Sequence, residues 1–265
     1  DKLLDTAARS LAYYQNEFGP YPYPTLNLVE IPNRGFGRAY LGLIYISEHV
    51  GYKENLNSKN NKDDFSYLIA HEIAHQWWGH QLAAAKTEGE VFLIESLADY
   101  SALMVMKEIY GESYVDSFMA KANQKYLQGR AQDLIGEVPL YRLLGQRYLR
   151  YQKGPIVLNA IRHKMGEKAL NQSLKSLLSN KGNIQEDYAT TLDFISEIKA
   201  NSKKNQHDLF EQWLKLIQIY DLKISNSIVE LGRNGKYKIT VNIEAHSEVI
   251  EKNDSASVLV TEQFI

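Results

Sequence analysis

Apolar residues near the start of the chain follow first a helical and then a strand-like pattern. Between Leu3 and Phe18 they recur at intervals of three and four, which predicts an amphipathic helix. The prolines at 20, 22 and 24 lack a backbone donor, so we expect the helix to end before them. Apolar and polar residues then alternate over 25–31, and 39–47 is a second strand-like run after a glycine-rich turn at 33–37.

The remainder of the chain is mainly helical in pattern and becomes strand-like near its end. A polar stretch at 50–62 predicts a surface loop. The predicted helices that follow span 65–78, 91–110, 113–128, 154–165, 167–180, 187–200 and 208–218. From Leu222 onward, β-branched runs are joined by turn residues. The pattern therefore predicts an α+β protein with one domain at 1–220 and a second, β-strand-rich and truncated, at 221–265.

Composition narrows the function classes. The 265 residues include 30 Lys and Arg against 32 Asp and Glu, a net charge of -2, so we predict no nucleic-acid partner. Cysteine is absent, which leaves His, Asp and Glu as the ligands for any metal. No apolar run approaches the length of about 18–20 residues that a membrane span needs. Since neither an initiator Met nor a signal-peptide pattern is present, we expect the chain to be an excised part of a longer protein.

The strongest chemical signal is the motif HEIAH at 71–75. Residues four apart lie on one face of a helix, so His71 and His75 can offer ring nitrogens to one ion. Glu72 lies beside them, where it can take a proton from water. A histidine pair on a solvated helix needs no metal, but Ile69 and Ile73 belong to an apolar stripe on the opposite side of this helix. The motif therefore predicts an inward-facing metal site.

The third ligand has several candidates. Glu95 begins the run ESLADY on the next predicted helix and would complete a His-His-Glu set. Asp99 lies one turn further and can accept the free ring N–H of a ligating histidine, although an ordinary surface charge is an equal alternative. Glu88 and Glu90 are rivals for the third ligand, but they lie in the connecting loop, which is a less rigid platform.

The combination HEIAHQWWGH and ESLADY resembles the aminopeptidase N and leukotriene hydrolase family of zinc peptidases, the gluzincins. Nineteen residues separate His75 from Glu95, one more than the usual spacer, which a loop insertion explains. The segments FGPYPYPTLNLVEIP and DLFEQWLKL resemble the start and end of the family's catalytic domain. The resemblance implies one Zn²⁺ ion, a peptide substrate and a thermolysin-like fold. That fold comprises a small mixed β-sheet and a mainly helical lobe, followed by a small β-sandwich piece.

The family also carries a catalytic tyrosine shortly before a Lys-Gly pair. Tyr151-Gln152-Lys153-Gly154 resembles this feature, so the resemblance assigns Tyr151 as the donor to the oxyanion of the tetrahedral intermediate. A tyrosine at the edge of the core is the alternative for Tyr151 alone.

One segment departs from the family pattern. The family's aminopeptidases hold the substrate amine with the glutamate of a Gly-x-Met-Glu-Asn segment. Alignment of the shared Gly-Leu-Ile end places GFGRAYLGLI (35–44) there, with Ala39 at the glutamate position. A methyl group cannot pair with an ammonium ion, and Arg38 would repel one. The backbone from Gly37 to Gly42 still provides an edge strand for a peptide.

This variant segment looks similar to bacterial peptidase domains fused to transporter-type permeases. The resemblance implies a covalent fusion to a membrane permease and a tether to a bacterial membrane, with the extracytoplasmic side favoured. Three alternatives stay open from the sequence. They are a catalytically weak peptide- or signal-binding module of a transporter assembly, a small-molecule hydrolase, and a structural zinc domain with His80 as fourth ligand.

Overall fold

The computed structural model describes residues 2–32, 37–48, 63–182, 187–232 and 235–250, and the backbone of 260–264. The chain divides into two compact units, Asp1–Leu214 and Lys215–Ile265. The sequence predicted the boundary between 220 and 221. The predicted loop at 50–62 and most of the predicted turn at 33–37 lie outside the described residues.

The first unit is mainly helical, and the α+β class predicted from the pattern is confirmed. Its α-helices are α1 (Lys2–Glu17), α2 (Asp64–Ala74), α3 (Leu97–Tyr110), α4 (Glu112–Gln132), α5 (Gly154–Met165), α6 (Glu167–Lys181), α7 (Thr191–Ala200) and α8 (His207–Lys215). Its strands are β1 (Asn27–Ile31), β2 (Gly37–Tyr40) and β3 (Leu43–Ser47). Two π-helical turns, π1 (Phe92–Ser96) and π2 (Leu149–Lys153), precede α3 and α5. Short 3₁₀ turns lie at Leu140–Arg142 and Lys204–Gln206.

The small sheet of the first unit is mixed, with strand order β1-β3-β2. β1 pairs with β3 in parallel, and β2 pairs with β3 antiparallel, with Ala39 opposite Ile44. Ile44 and Ile46 of β3 alternate into the core, as expected of a strand with one buried face. Among the described residues, β2 is therefore an edge strand of this sheet.

Helix α2 crosses the centre of the core. Ile69, Ile73 and the following Trp77 are completely buried, which confirms the apolar stripe that the sequence indicated. α1 packs against this helix, and the hydroxyl of Tyr14 donates to the carbonyl of Ala70 over 2.9 Å. Asp63 caps the start of α2 by accepting the Ser66 backbone N–H. The buried stripe fixes which face of α2 points away from the core.

Several predicted elements differ from the observed ones. The single strand predicted at 39–47 is two strands, because Gly42 adopts a φ of +67° and turns the chain into a hairpin. α2 ends at Ala74 rather than at 78, since the next residues form tighter turns. α7 begins at Thr191 rather than at 187, because Thr190 and Asp193 form a capping box there.

The second unit is described as one antiparallel sheet. Its strands β4 (Gln218–Leu231), β5 (Tyr237–Val249) and β6 (Val260–Phe264) are neighbours in that order. β4 begins four residues before the predicted strand-rich region, where the helix predicted to reach 218 has already ended at Lys215. Within the described residues this unit has a single β-layer, so the second layer that the predicted β-sandwich requires is not among them.

None of the helices in the described part of the chain is both long and apolar enough to cross a membrane.

Candidate active site

Helix α2 presents two imidazole rings on the face opposite its apolar stripe. His71 and His75 are one turn apart, and their Nε2 atoms lie 3.1 Å from each other. The ring planes are nearly perpendicular, with centroids 4.7 Å apart. Both side chains are largely buried. The four-residue spacing of the sequence thus places two nitrogen ligands at one point beside the helix.

Glu95 supplies the third potential ligand from the π1 turn. Its Oε2 lies 3.6 Å from His71 Nε2 and 3.9 Å from His75 Nε2. These three form a group in which all ligand atoms lie within 4.8 Å of one another. The triangle that they define has a circumradius of about 2.1 Å, which matches the length of a Zn–N or Zn–O bond. Two imidazoles and one carboxylate are also the donors that catalytic zinc prefers, so the residues fit a zinc ion.

Each histidine is oriented by a second contact at its other nitrogen. His71 Nδ1 lies 2.8 Å from a carboxylate oxygen of Asp99, and His75 Nδ1 lies 3.0 Å from the carbonyl oxygen of Trp78. Asp99 also accepts a hydrogen bond of 2.8 Å from the hydroxyl of Tyr67. Acceptors at both Nδ1 atoms hold the proton there and leave Nε2 free to bind a metal. Asp99 therefore lies where the sequence predicted an outer partner.

The electrostatics of the group follow from its burial and mutual contacts. Burial and, to a smaller extent, the neighbouring His71 lower the pKa of His75 to about 4. For His71, burial lowers the pKa, but the contact with Asp99 outweighs this and raises it well above the usual value. Burial raises the pKa of Glu95, but its contacts with the two histidines lower it to about 2. Glu95 is thus an anion, as a metal ligand must be.

Glu72 lies beside the ligand group and against the edge strand. Glu72 is 5% exposed, and burial together with the nearby charge of Glu95 raises its pKa to about 7. The backbone N–H of Ala39 donates to its carboxylate. Gly37 is in close contact with it, since a Cβ atom there would lie 2.5 Å from Glu72 Oε1. A carboxyl group with a pKa near neutrality is suited to both accept and donate a proton.

Tyr151 reaches the same centre from the π2 turn. Its hydroxyl bonds to Glu95, and its ring centroid lies 6.3 Å from that of His71. Burial raises the pKa of Tyr151, as does the negative charge of Glu95, so the phenol keeps its proton. The guanidinium groups of Arg147 and Arg150 lie over its ring, at 5.6 and 5.1 Å from the centroid. Tyr151 can therefore act as a hydrogen-bond donor at the site.

A cavity of about 320 Å³ opens over these groups. The edge strand borders it at Gly37, Arg38 and Ala39, three of the four residues that the sequence predicted to bind substrate, and this binding stays a prediction. Gly42 was also predicted to bind substrate, but it lies in the hairpin turn outside this lining. Its N–H donates to Gln76 Oε1 over 2.9 Å, so it is not available to a peptide.

The rival ligands are engaged elsewhere or lie outside the ligand group. Glu88 makes a bidentate ion pair with Arg142, with one N–O distance of 2.9 Å. Glu90 does not belong to any group of metal-binding geometry among the described residues. His80 lines the cavity and bonds to the backbone of Ala39, and burial lowers its pKa. A closed four-ligand structural site is therefore not formed by the described residues.

Three supporting residues were missed in the sequence. Tyr67 lies one turn before His71 and reaches Asp99. Gln76 is completely buried and links the hairpin to the end of α2, because its amide also donates to the Tyr40 carbonyl over 2.9 Å. Ser96 donates to the carbonyl of Arg150 over 2.8 Å and so joins the two π-helical turns. The spacing of Tyr67 from His71 was the one available signal among these.

Two histidines of an HExxH motif and a glutamate from the π-helical turn that follows, beside the edge strand of a mixed sheet, define a gluzincin-type zinc peptidase site. Comparison with known proteins then identifies the family. The profile of the Peptidase family M1 domain matches residues 3–213, and this chain belongs to that family.

Relatives in the family are distant in sequence and longer than this chain. The Probable aminopeptidase 2 of Sulfurisphaera tokodaii is 23% identical over 268 residues, which cover 93% of this chain and 34% of the relative. Aminopeptidase M1 of Arabidopsis thaliana is 23% identical, with 87% of this chain and 27% of the relative covered. The chain thus spans about a third of the length of such relatives.

Solved structures show the same fold. The M1 zinc metallopeptidase from Deinococcus radiodurans superimposes with a TM-score of 0.60 at 23% identity, over 79% of this chain and 43% of that one. This similarity supports the thermolysin-like arrangement of the first unit.

Proposed function

We propose that this chain is the catalytic part of a zinc-dependent metallopeptidase that hydrolyses peptide bonds. One observation carries the proposal. The ligand group His71, His75 and Glu95 shares a single cavity with a buried carboxyl group, Glu72, and with a protonated phenol, Tyr151. A binding protein needs neither of the last two residues, whereas hydrolysis of an amide needs a base and an oxyanion donor.

His71, His75 and Glu95 would hold one Zn²⁺ ion. A zinc ion in such a site supplies Lewis acidity, which polarises a carbonyl group and increases the acidity of water. Asp99 and the Trp78 carbonyl keep the two rings in the tautomer that such binding requires.

Glu72 and Tyr151 perform the proton transfer and the charge stabilisation. With a pKa of about 7, Glu72 can accept a proton from the attacking water and later deliver it to the departing amine. Tyr151 donates a hydrogen bond to the oxygen that becomes negative in the tetrahedral intermediate. Because this contact strengthens as charge develops, it lowers the barrier more than it stabilises bound substrate.

Edge strand β2 aligns the peptide beside these groups. An extended peptide can add to the free side of β2 through backbone hydrogen bonds. At Ala39 the backbone already bonds to Glu72 and His80, so a peptide must replace those contacts. Ala39 offers no carboxylate for a substrate amine. The proposed activity is therefore aminopeptidase-like in mechanism, without the usual hold on a free N-terminus.

The Glu72→Gln variant tests the mechanism. It should keep zinc, because Glu72 is not one of the three ligands, and its turnover of peptides should fall by at least about a thousandfold. Zinc content by metal analysis and hydrolysis of a mixed peptide library are the two measurements. Unchanged hydrolysis in this variant would sink the assignment of Glu72.

A pair of substrates tests the register of cleavage. An amino-acid anilide has a free amine, and an N-blocked, internally quenched peptide has none. We expect the blocked peptide to be cleaved, the anilide to be a poor substrate, and a chelator to abolish cleavage. Preference for the anilide would show that another group holds the amine.

Ala39 also favours a second candidate function, a peptide- or signal-binding module of a membrane transporter assembly. Its support is the absence of a carboxylate at the strand position where the family's aminopeptidases hold the substrate amine. We propose in addition that the full-length protein is fused to a permease and tethered to a bacterial membrane, with this domain on the extracytoplasmic side. Retained zinc with no cleavage of any library member would favour the binding module over the enzyme.

A further inference from the structure

A second cavity of about 540 Å³ extends the cleft beyond the catalytic groups. It shares Gly37, His71, Glu72 and Tyr151 with the cavity over the ligand group. Of the edge strand, only Gly37 borders it, so it lies toward the first residue of β2. Its volume is in the range of ligand pockets. A substrate that crosses the site beside β2 therefore has one of its two ends in this second cavity.

The second cavity has an apolar floor and a cationic rim. Leu68 of α2 and Tyr114 and Phe118 of α4 form the floor, and the Phe118 ring lies 5.1 Å from that of Tyr67. The rim cations are Lys121 and Lys125 of α4 and Arg147, which precedes the π2 turn. Lys121 and Lys125 are four residues apart, so α4 presents both on one side.

Two of the rim cations make no ion pair within the described part of the chain. Lys121 lies 3.5 Å from Asp64, which also lines the cavity, and this exposed pair offsets the charge of Lys121. Arg147 lies over the Tyr151 ring, and neither it nor Lys125 is within 4.0 Å of a described carboxylate. Asp99, which also lines this cavity, is already engaged by His71 and Tyr67. Lys125 and Arg147 thus retain their capacity to bind an anion.

By contrast, the described lining of the cavity over the ligand group has no carboxylate left to bind a substrate amine. In the cavity over the ligand group the described carboxylates are Glu72 and Glu95, and both have roles in the reaction. Arg38 adds a positive charge there. A substrate ammonium group therefore has no partner of its own at that end, whereas a carboxylate has partners at the other.

We propose that the second cavity binds a carboxylate on the leaving-amine side of the substrate, held by Lys125 and Arg147 above an apolar floor. This inference rests on the proposed function. The carboxylate is either the free C-terminus of a short peptide or an acidic side chain near the cleaved bond. Substrate orientation is then set by its carboxylate rather than by its amine.

Hydrolysis of matched peptides tests the proposal. One N-blocked, internally quenched sequence is made in two pairs of peptides. The first pair is the C-terminal acid and its amide, and the second pair consists of two C-terminal amides with either Glu or Gln after the cleaved bond. We expect kcat/KM to be about tenfold higher for the acid than for the amide, or for the Glu than for the Gln amide. The first preference identifies the C-terminal carboxylate, and the second identifies the side chain.

In the double variant Lys125→Gln/Arg147→Gln, the ratio of kcat/KM for the favoured charged peptide to that for its neutral partner should fall to about one. Because each ratio compares two substrates on the same enzyme, a general loss of activity cancels. Lys125→Arg/Arg147→Lys retains both charges and should retain the preference. Lys175→Gln makes the same substitution at an exposed lysine of α6 that does not line the cleft, and it serves as the matched control.

Equilibrium binding separates this proposal from the proposed function. The Glu72→Gln variant should bind the favoured peptide about tenfold more tightly than its neutral partner in fluorescence anisotropy, and the Lys125 and Arg147 changes should remove the difference. Tighter binding without hydrolysis by the wild type would uphold the carboxylate site and overturn the enzyme. Hydrolysis with equal ratios for every pair, or ratios that survive the double variant, would overturn the carboxylate site alone.

Discussion

Replacement of Gly37 by alanine should displace Glu72, the proposed catalytic base, without changing a proposed metal ligand. The three atoms nearest to an added Cβ all belong to Glu72, with Oε1 at 2.5 Å, Cγ at 2.6 Å and Cδ at 2.7 Å. Gly37 lies in β2 and does not have the positive φ that would exclude alanine. The substitution therefore exerts its effect through contact with the Glu72 side chain.

The size of the effect follows from these distances. Ordinary van der Waals contact begins near 3.4 Å. Glu72 must therefore retreat by about 1 Å, and a displacement of that size at a reacting group costs roughly a hundredfold in rate. An off-rotamer side chain costs about 0.5–1.5 kcal/mol, so the free energy of unfolding should change little by comparison. We expect kcat for peptide hydrolysis to fall about a hundredfold while the fold remains intact.

The assay combines three measurements on the same variant. Peptide turnover should fall, and zinc content should match that of the wild type. The free energy of unfolding, measured by urea denaturation, should fall by no more than about 1.5 kcal/mol, which is the cost of one strained side chain. Gly145→Ala is the matched control, because nothing lies within 4 Å of an added Cβ at Gly145. A Gly37→Ala enzyme with wild-type kcat would refute the placement of Glu72 as the base. Loss of zinc would instead mean that the strand supports the ligands.

Three further changes address the supporting groups. Asp99→Asn should weaken zinc binding by about 10- to 100-fold in chelator competition, because the carboxylate orients a ligating ring; unchanged affinity would assign Asp99 to stability alone. Ser96→Ala removes the hydrogen bond to the Arg150 carbonyl, and we expect a loss of about 1 kcal/mol in urea unfolding together with lower kcat; normal kcat would show that the two π-helical turns hold their positions independently. Glu137→Ala leaves the buried Lys153 without its carboxylate partner, which should cost about 3–5 kcal/mol in the same measurement; a loss below about 1 kcal/mol would mean that water already reaches the lysine.

Two of the three members of the ligand group, His71 and His75, could be predicted because they follow helical spacing. His71 and His75 are four apart on one helix, so a single element determines their relative position. Glu95 needed an additional inference, since its helix begins with a π-helical turn that apolar periodicity does not reveal. Its assignment rested on the run of residues that follows it, and the structure places it beside both rings.

Other features depended on contacts that no local pattern encodes. The hairpin at Gly42 was missed because the residues on both sides of it are equally strand-like, and only its positive φ separates β2 from β3. The capping box of Thr190 and Asp193, by contrast, has a recognisable four-residue signature that places the start of α7. Gln76 could not be assigned, because its partners come from a strand more than thirty positions earlier.

In the proposed function, the residues that carry out hydrolysis are distinct from the residues that determine which peptide bond is cleaved. The ligands and the base are fixed by α2 and the π1 turn, whose positions depend on a buried apolar core. In the function and the carboxylate site proposed above, the hold on a substrate end would depend on single side chains at the edges of the cleft, such as Ala39 on β2 and Lys125 on α4. On the proposed alignment, alanine in place of the family's glutamate at position 39 would remove amine recognition without moving a ligand. Cations at the far end can then determine which bond lies over the base, because an extended peptide bound by one end has its register fixed along its whole length. A change of specificity in this fold thus requires no change in its metal centre.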